Sequence, residues 1–116
     1  MRAAYEGLAM SFVDCYQGKN GFDTMYLSGG ASISHFVCQM FCDAIGMPVK
    51  RQTFDELGTL GIVKMLMVSL GYAESFAELE VDSYISYAPN MERHAQYRQL
   101  YEKFVSFRES IQSQWK

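Results

Sequence analysis

The chain has 116 residues, of which 49% are hydrophobic and 20% charged, and its net charge is −3. This length holds one domain or a piece of one, and this composition builds a core, which excludes an intrinsically disordered chain. The negative balance argues against nucleic acid or an acidic membrane surface as the main partner.

Aromatic content is high, with eight Tyr, eight Phe and Trp115, and eight Met suit adaptable packing between helices. Three cysteines cannot pair completely, and Met1-Arg2-Ala3-Ala4 runs straight into a helical pattern with no secretory signal. A reduced, cytoplasmic setting is therefore expected. The longest apolar run, residues 60–70, is broken by Lys64 and is too short to span a bilayer, so a soluble protein with no membrane partner is expected.

In chain order, residues 2–17 read as a helix with Tyr5, Leu8, Ala9, Phe12, Val13 and Tyr16 on one face. Gly18-Lys19-Asn20-Gly21 ends it. Thr24-Met25-Tyr26-Leu27 reads as a short buried strand. Residues 33–45 form a second helix, with Ile33, Phe36, Val37, Met40, Phe41, Ala44 and Ile45 inward, Ser32 as cap and Gly46 as stop. Pro48-Val49-Lys50-Arg51-Gln52 reads as a second strand, with Pro48 acceptable at its start. A third helix begins near Asp55-Glu56 and runs to Leu70 before Gly71, and residues 74–80 add a helical turn or two. Residues 81–90 read as a connecting segment. A last helix covers about residues 91–113, with Tyr97, Leu100, Tyr101, Phe104, Phe107 and Ile111 along one stripe.

The order α-β-α-β-α-α implies an α/β architecture in which helices pack on a short parallel strand pair. Two short strands are too few for a self-sufficient sheet, so a partial lobe of a larger domain is expected. Between the first strand and its helix lies Ser28-Gly29-Gly30-Ala31-Ser32. Glycine turns the backbone sharply and removes the Cβ that keeps a ligand away, and the following helix presents free N–H groups and a positive dipole end. Such a junction is a natural cradle for a nucleotide or another anion, although glycine also serves merely to turn the chain there.

Four ordered blocks resemble the FGGY carbohydrate kinases of the actin/hexokinase/Hsp70-like ATPase superfamily. Arg2-Ala3-Ala4-Tyr5-Glu6-Gly7-Leu8-Ala9 looks like the tail of the family's second signature. Leu27-Ser28-Gly29-Gly30-Ala31-Ser32, with Gln39, Asp43 and Gly46-Met47-Pro48-Val49, resembles its adenosine-motif strand, loop and helix. Glu56-Leu57-Gly58-Thr59-Leu60-Gly61 resembles the start of the next helix, and Tyr87-Ala88-Pro89 with Tyr97, Leu100, Tyr101 and Phe104 the closing one. The resemblance implies a ribonuclease H-like (actin-like ATPase) lobe, with residues 1–116 as the C-terminal part of the ATP-binding domain. It implies ATP as cofactor, with Mg²⁺ held by missing upstream segments, and a parent that phosphorylates a small sugar or polyol.

By residue-wise carry-over the same resemblance places Gly29, Gly30, Ala31 and Ser34 on the adenosine side of the nucleotide cleft. Ser34 stands where relatives often carry Asn, and Thr59-Leu60-Gly61-Ile62-Val63 replaces an alanine-rich run, so both contacts there are altered. No segment matches the family's phosphate loops or its catalytic Asp, and nothing matches a P-loop. The fragment alone is therefore expected to be inactive, with no catalytic residue of its own.

Other candidates read as structural. Cys38 and Cys42, at i and i+4, lack a partner pair elsewhere and read as core rather than metal ligands, and Cys15 reads as packing. His35 and His94 read as surface or packing residues, Asp55-Glu56 as dipole partners, Glu6 as a helix stabiliser and Lys50-Arg51 as too small a basic patch for nucleic acid. Apolar surface left without its upstream neighbour is expected to make the fragment self-associate. The alternative reading is a non-catalytic nucleotide-binding or protein-interaction module of the same fold, and a third is a plain α/β packing domain with no ligand.

Overall fold

A computed structural model of the chain describes residues 1–53, 56–79 and 83–115. Four helices and three strands follow in the order α1 (Arg2–Tyr16), β1 (Met25–Leu27), α2 (His35–Ile45), β2 (Val49–Gln52), α3 (Leu57–Ser69), β3 (Tyr84–Tyr87) and α4 (Met91–Gln112). Two 3₁₀ turns, Gly30–Ile33 and Phe76–Leu79, lie before α2 and after α3. The architecture is the expected mixed α/β one. β1 and β2 run parallel, as the strand–helix–strand order requires, with Met25 opposite Val49 and Leu27 opposite Arg51.

β3 corrects the reading of residues 81–90 as a connection; positions 81 and 82 lie outside the described residues. It pairs antiparallel with β2, with Val49 opposite Tyr87 and Arg51 opposite Ile85. Four residues with a proline two positions beyond carry a weak strand signal, and an edge strand needs only its β2-facing groups paired. The sheet order is β1-β2-β3.

α2 sits at the centre. Val37, Phe41 and Ala44 pack against Ala9 and Met10 of α1, with Tyr97, Tyr101 and Phe104 of α4 closing the cluster. The other side of α2 lays Cys42 against Met25 and Val49 of the sheet. A helix buried on two sides needs more than one apolar stripe, which is why Cys38, Cys42 and Asp43 are buried beside the expected face. Each large apolar side chain enclosed here contributes about 1.5–3 kcal/mol of burial.

Several expected inward residues point elsewhere. Leu8, Phe12 and Tyr16 are exposed on α1 while Met10 is buried, so the helix is rotated toward Ala9 and Met10. Ile33 and Phe36 are exposed because residues 30–33 form a separate 3₁₀ turn and α2 starts only at His35. Leu100, Phe107 and Ile111 are exposed as well, since of the α4 stripe only Tyr97, Tyr101 and Phe104 pack against the α1–α2 cluster. Ser34 rather than Ser32 caps α2, its Oγ accepting the Val37 N–H at 3.4 Å. Gly46 ends α2 with φ +77°, and its N–H donates to the Cys42 carbonyl. No helix among the described residues is long and apolar enough to cross a membrane.

Candidate functional site

The loop between β1 and α2 carries all four candidate residues, Gly29, Gly30, Ala31 and Ser34, and every one is exposed. Gly29 adopts φ +94°, ψ 175°, backbone that is essentially reserved for glycine. Gly30 differs: its φ is not positive, and a Cβ built on it would meet no other atom within 4 Å. Neither strain nor crowding inside the chain demands glycine there. The open space over Gly30 is shared by Gly7 on α1 and by Gly58 and Gly61 on α3.

The carbonyls of the loop are engaged by donors of the fold. Ser32 Oγ donates to the Gly29 carbonyl at 2.6 Å, and the buried Cys38 thiol donates to the Ser32 carbonyl at 3.1 Å. Arg51 Nη1 donates to the Ile33 carbonyl at 3.3 Å. The Ser32 N–H is the first intrahelical donor, to the Gly29 carbonyl at 3.0 Å, so the amides of Gly30 and Ala31 precede the 3₁₀ ladder. An adenosine or other flat, polar ligand can approach Gly30 and Ala31 closely, so the residues present fit the nucleotide that the resemblance implies.

Around the base of the loop stand Cys38, Arg51, His35 and Tyr87. Tyr87 Oη and His35 Nδ1 lie 2.6 Å apart, which joins β3 to the start of α2. Burial pushes both the Cys38 thiol and the Tyr87 phenol up, and the nearby Arg51 cation opposes the rise in each. Cys42 is also buried, its thiol directed to the Met47 and Tyr87 carbonyls, so the two cysteines serve the core as expected. Cys15 instead is exposed on α1 and does not pack. The helix start expected at Asp55 lies outside the described residues, and Glu56 caps α3 without a side-chain hydrogen bond.

Two residues gained importance that their sequence context did not show. Arg51 shares the α2-facing side of β2 with Val49, whereas Lys50 faces the other way. Strict alternation along Val49-Lys50-Arg51 was the available signal. Asp43, 1% exposed, accepts hydrogen bonds from Gln39 Nε2 and from the Asn90 N–H, both at 2.8 Å. It also pairs with Arg93 at 3.3 Å, while the His94 ring bonds the Asp43 carbonyl at 3.0 Å. The Gln39 and Asp43 spacing thus fastens the start of α4 to α2, at some distance in sequence from the loop.

Residues 1–70 match the sequence model described as the FGGY family of carbohydrate kinases, C-terminal domain. The chain belongs to the FGGY family. Among similar proteins, a glycerol kinase of Solidesulfovibrio magneticus is 31% identical over an alignment 83 residues long that covers 67% of this chain and 17% of that enzyme. A glycerol kinase of Nitratidesulfovibrio vulgaris is 28% identical over an alignment 108 residues long that covers 87% of this chain and 22% of the enzyme. The chain therefore spans about a fifth of the length of these relatives. A ligand-bound xylulose kinase from Lactobacillus acidophilus shares the fold with a TM-score of 0.77 at 22% identity, over 95% of this chain and 24% of that one. A gluconate kinase from the same species gives 0.75 at 22% identity over the same shares. The FGGY chain has the fold of part of the actin-like ATPase lobe in these kinases.

Proposed function

We propose that residues 1–116 form the C-terminal part of the ATP-binding lobe of an FGGY sugar or polyol kinase and supply the adenosine side of its cleft. The observation that supports this reading is the exposed glycine pair between β1 and α2, where Gly29 turns the chain and the loop carbonyls are engaged while the Gly30 and Ala31 amides precede the 3₁₀ ladder. Gly29, Gly30, Ala31 and Ser34 would hold the nucleoside. Gly29 turns the chain, Gly30 and Ala31 admit the ring to bare backbone, and Ser34 offers its hydroxyl proton while its oxygen caps α2.

When bound, ATP supplies the γ-phosphoryl for transfer to a hydroxyl of a small carbohydrate. Mg²⁺, the base that accepts the hydroxyl proton and most of the sugar site belong to other parts of the parent, which works in the cytoplasm. Catalysis by positioning needs both walls of the cleft, so the 116-residue chain alone is inactive. ADP release by the purified chain would sink that statement.

The direct test is amide hydrogen exchange. ATP or ADP should protect residues 28–34 and leave α3 unchanged; no protection would leave a plain packing domain. A second reading, a nucleotide-binding or interaction module without chemistry, draws on Ser34 and on Ile62-Val63, which are exposed on α3 rather than packed. Sugar-dependent ADP release by the full-length protein separates the two.

A further inference from the structure

Burying a cation among apolar side chains is unfavourable unless hydrogen bonds compensate it, so a buried arginine is informative about what it holds. Arg51 is only 7% exposed and lies on the sheet face that carries Met25, Leu27 and Val49. Alternation assigns that position to an apolar residue. The guanidinium instead reaches past the end of β1 to the Ile33 carbonyl, 18 residues back in sequence. Ile33 closes the 3₁₀ turn and immediately precedes Ser34. The peptide whose carbonyl Arg51 holds is the one that joins Ile33 to Ser34.

One further contact ties the same segment to the fold, and another closes the turn on itself. Cys38 Sγ holds the Ser32 carbonyl, and the Ser34 N–H donates to the Ala31 carbonyl at 3.3 Å. Of the donors to this turn from outside the loop, the thiol is weak and Arg51 is the charged one, and a charged donor makes the stronger hydrogen bond. The arginine sits on a strand, a more precise support for such a contact than a loop.

We propose that Arg51 is a positioning residue for nucleotide binding: by holding the Ile33 carbonyl it fixes the 3₁₀ turn so that the Gly30 and Ala31 amides and the Ser34 hydroxyl face the nucleoside. This rests on the nucleotide reading of the loop. Arg51 does not touch the ligand; it sets the orientation of the groups that do. A loop oriented before binding loses less freedom when the ligand arrives, so the contribution appears as affinity.

The experiment compares the 116-residue chain with Arg51→Met, which keeps the volume and removes the donor, and Arg51→Lys, which keeps the cation with a shorter reach. Without ligand, amide exchange of residues 32–34, whose N–H groups are bonded within the turn, should quicken about tenfold in R51M, the loss of one charge-assisted hydrogen bond, and less in R51K, with α1 and the interior of α2 unchanged. Millimolar ADP should protect the same amides in the wild type, with an affinity about tenfold weaker in R51M and partly restored in R51K. An unchanged loop in R51M, or a rise spread equally through α1 and α2, overturns the assignment. Should R51M not fold, R51K and Cys38→Ala are judged by the same criterion. ADP protection that ignores R51M sinks the Arg51 role alone. No ADP protection in the wild type, with the ligand-free response intact, sinks the nucleotide reading and the role with it.

Discussion

Three glycines show how one residue type answers three different demands. Gly29 is required by its own φ of +94°, Gly46 by φ +77° and by the His94 ring, with which a Cβ would collide, and Gly30 by neither. Gly46→Ala should therefore lower stability by about 1–3 kcal/mol, read from the urea midpoint, because both strain and a ring displacement oppose it. Gly30→Ala should leave that midpoint unchanged and weaken ADP protection of residues 28–34. Equal midpoint losses in the two variants would mean that Gly30 is structural after all. The glycine pair was legible in the sequence because the strand and helix around it are. Which glycine turns the chain and which leaves space was not, since that depends on φ and on neighbours distant in sequence.

At the scale of elements, the α2–α4 junction depends on one carboxylate. Asp43 accepts from Gln39, the Asn90 amide and Arg93 together, so it satisfies an N-terminal N–H of α4 and fixes the helix direction. Asp43→Ala strips the Asn90 N–H of its partner, while Gln39 keeps the Ala88 carbonyl and the exposed Arg93 turns to water, and should cost about 1–3 kcal/mol. Exchange at residues 90–94 should rise before that of β2 does. A uniform rise would show that Asp43 supports the whole core rather than the junction. The spacing of Gln39 and Asp43 is visible in the sequence, but its meaning needs the Asn90 amide, 47 residues away. β3 was missed for a similar reason: Tyr84-Ile85-Ser86-Tyr87 becomes a strand because β2 offers it an edge, and no local signal records that edge.

The whole molecule is elongated. Its radius of gyration is 17.9 Å, against about 13 Å for a compact domain near this size. The surface of 8287 Å² exceeds the roughly 6,400 Å² expected of a compact protein of this mass. Neither α3 nor α4 has a buried residue, and on α3 the apolar Ile62 and Leu66 are 62% and 55% exposed. We expect the isolated chain to associate through this helix, and Ile62→Lys with Leu66→Lys to restore a monomer in light scattering. Association unaffected by the pair would place the contact elsewhere.

Stability should also fall at both ends of the pH scale. The Tyr101 hydroxyl and the Arg108 cation hold the Asp14 carboxyl below its ordinary range, with burial opposing them. That contribution is complete above the ordinary carboxylate range, about pH 4, and is lost as pH falls through the lower folded value. Asp14→Asn should flatten the acid limb of a urea-midpoint profile. Burial lifts the Cys42 thiol from 9.0 to about 11, so the unfolded chain sheds this proton first. Stability from Cys42 is complete below about pH 9 and declines toward pH 11, and Cys42→Ala should remove that decline.

The sequence by itself determined the order of helices, the parallel strand pair, the glycine loop and the family. Each of these is written in local periodicity, in turn chemistry or in short blocks read along the chain. Only the tertiary structure decided that residues 84–87 form a strand, that α1 buries Met10 rather than Phe12, and that Arg51 and Asp43 lie inside. These depend on which faces meet, and burial of a polar side chain becomes tolerable only when a partner far along the chain arrives to satisfy it.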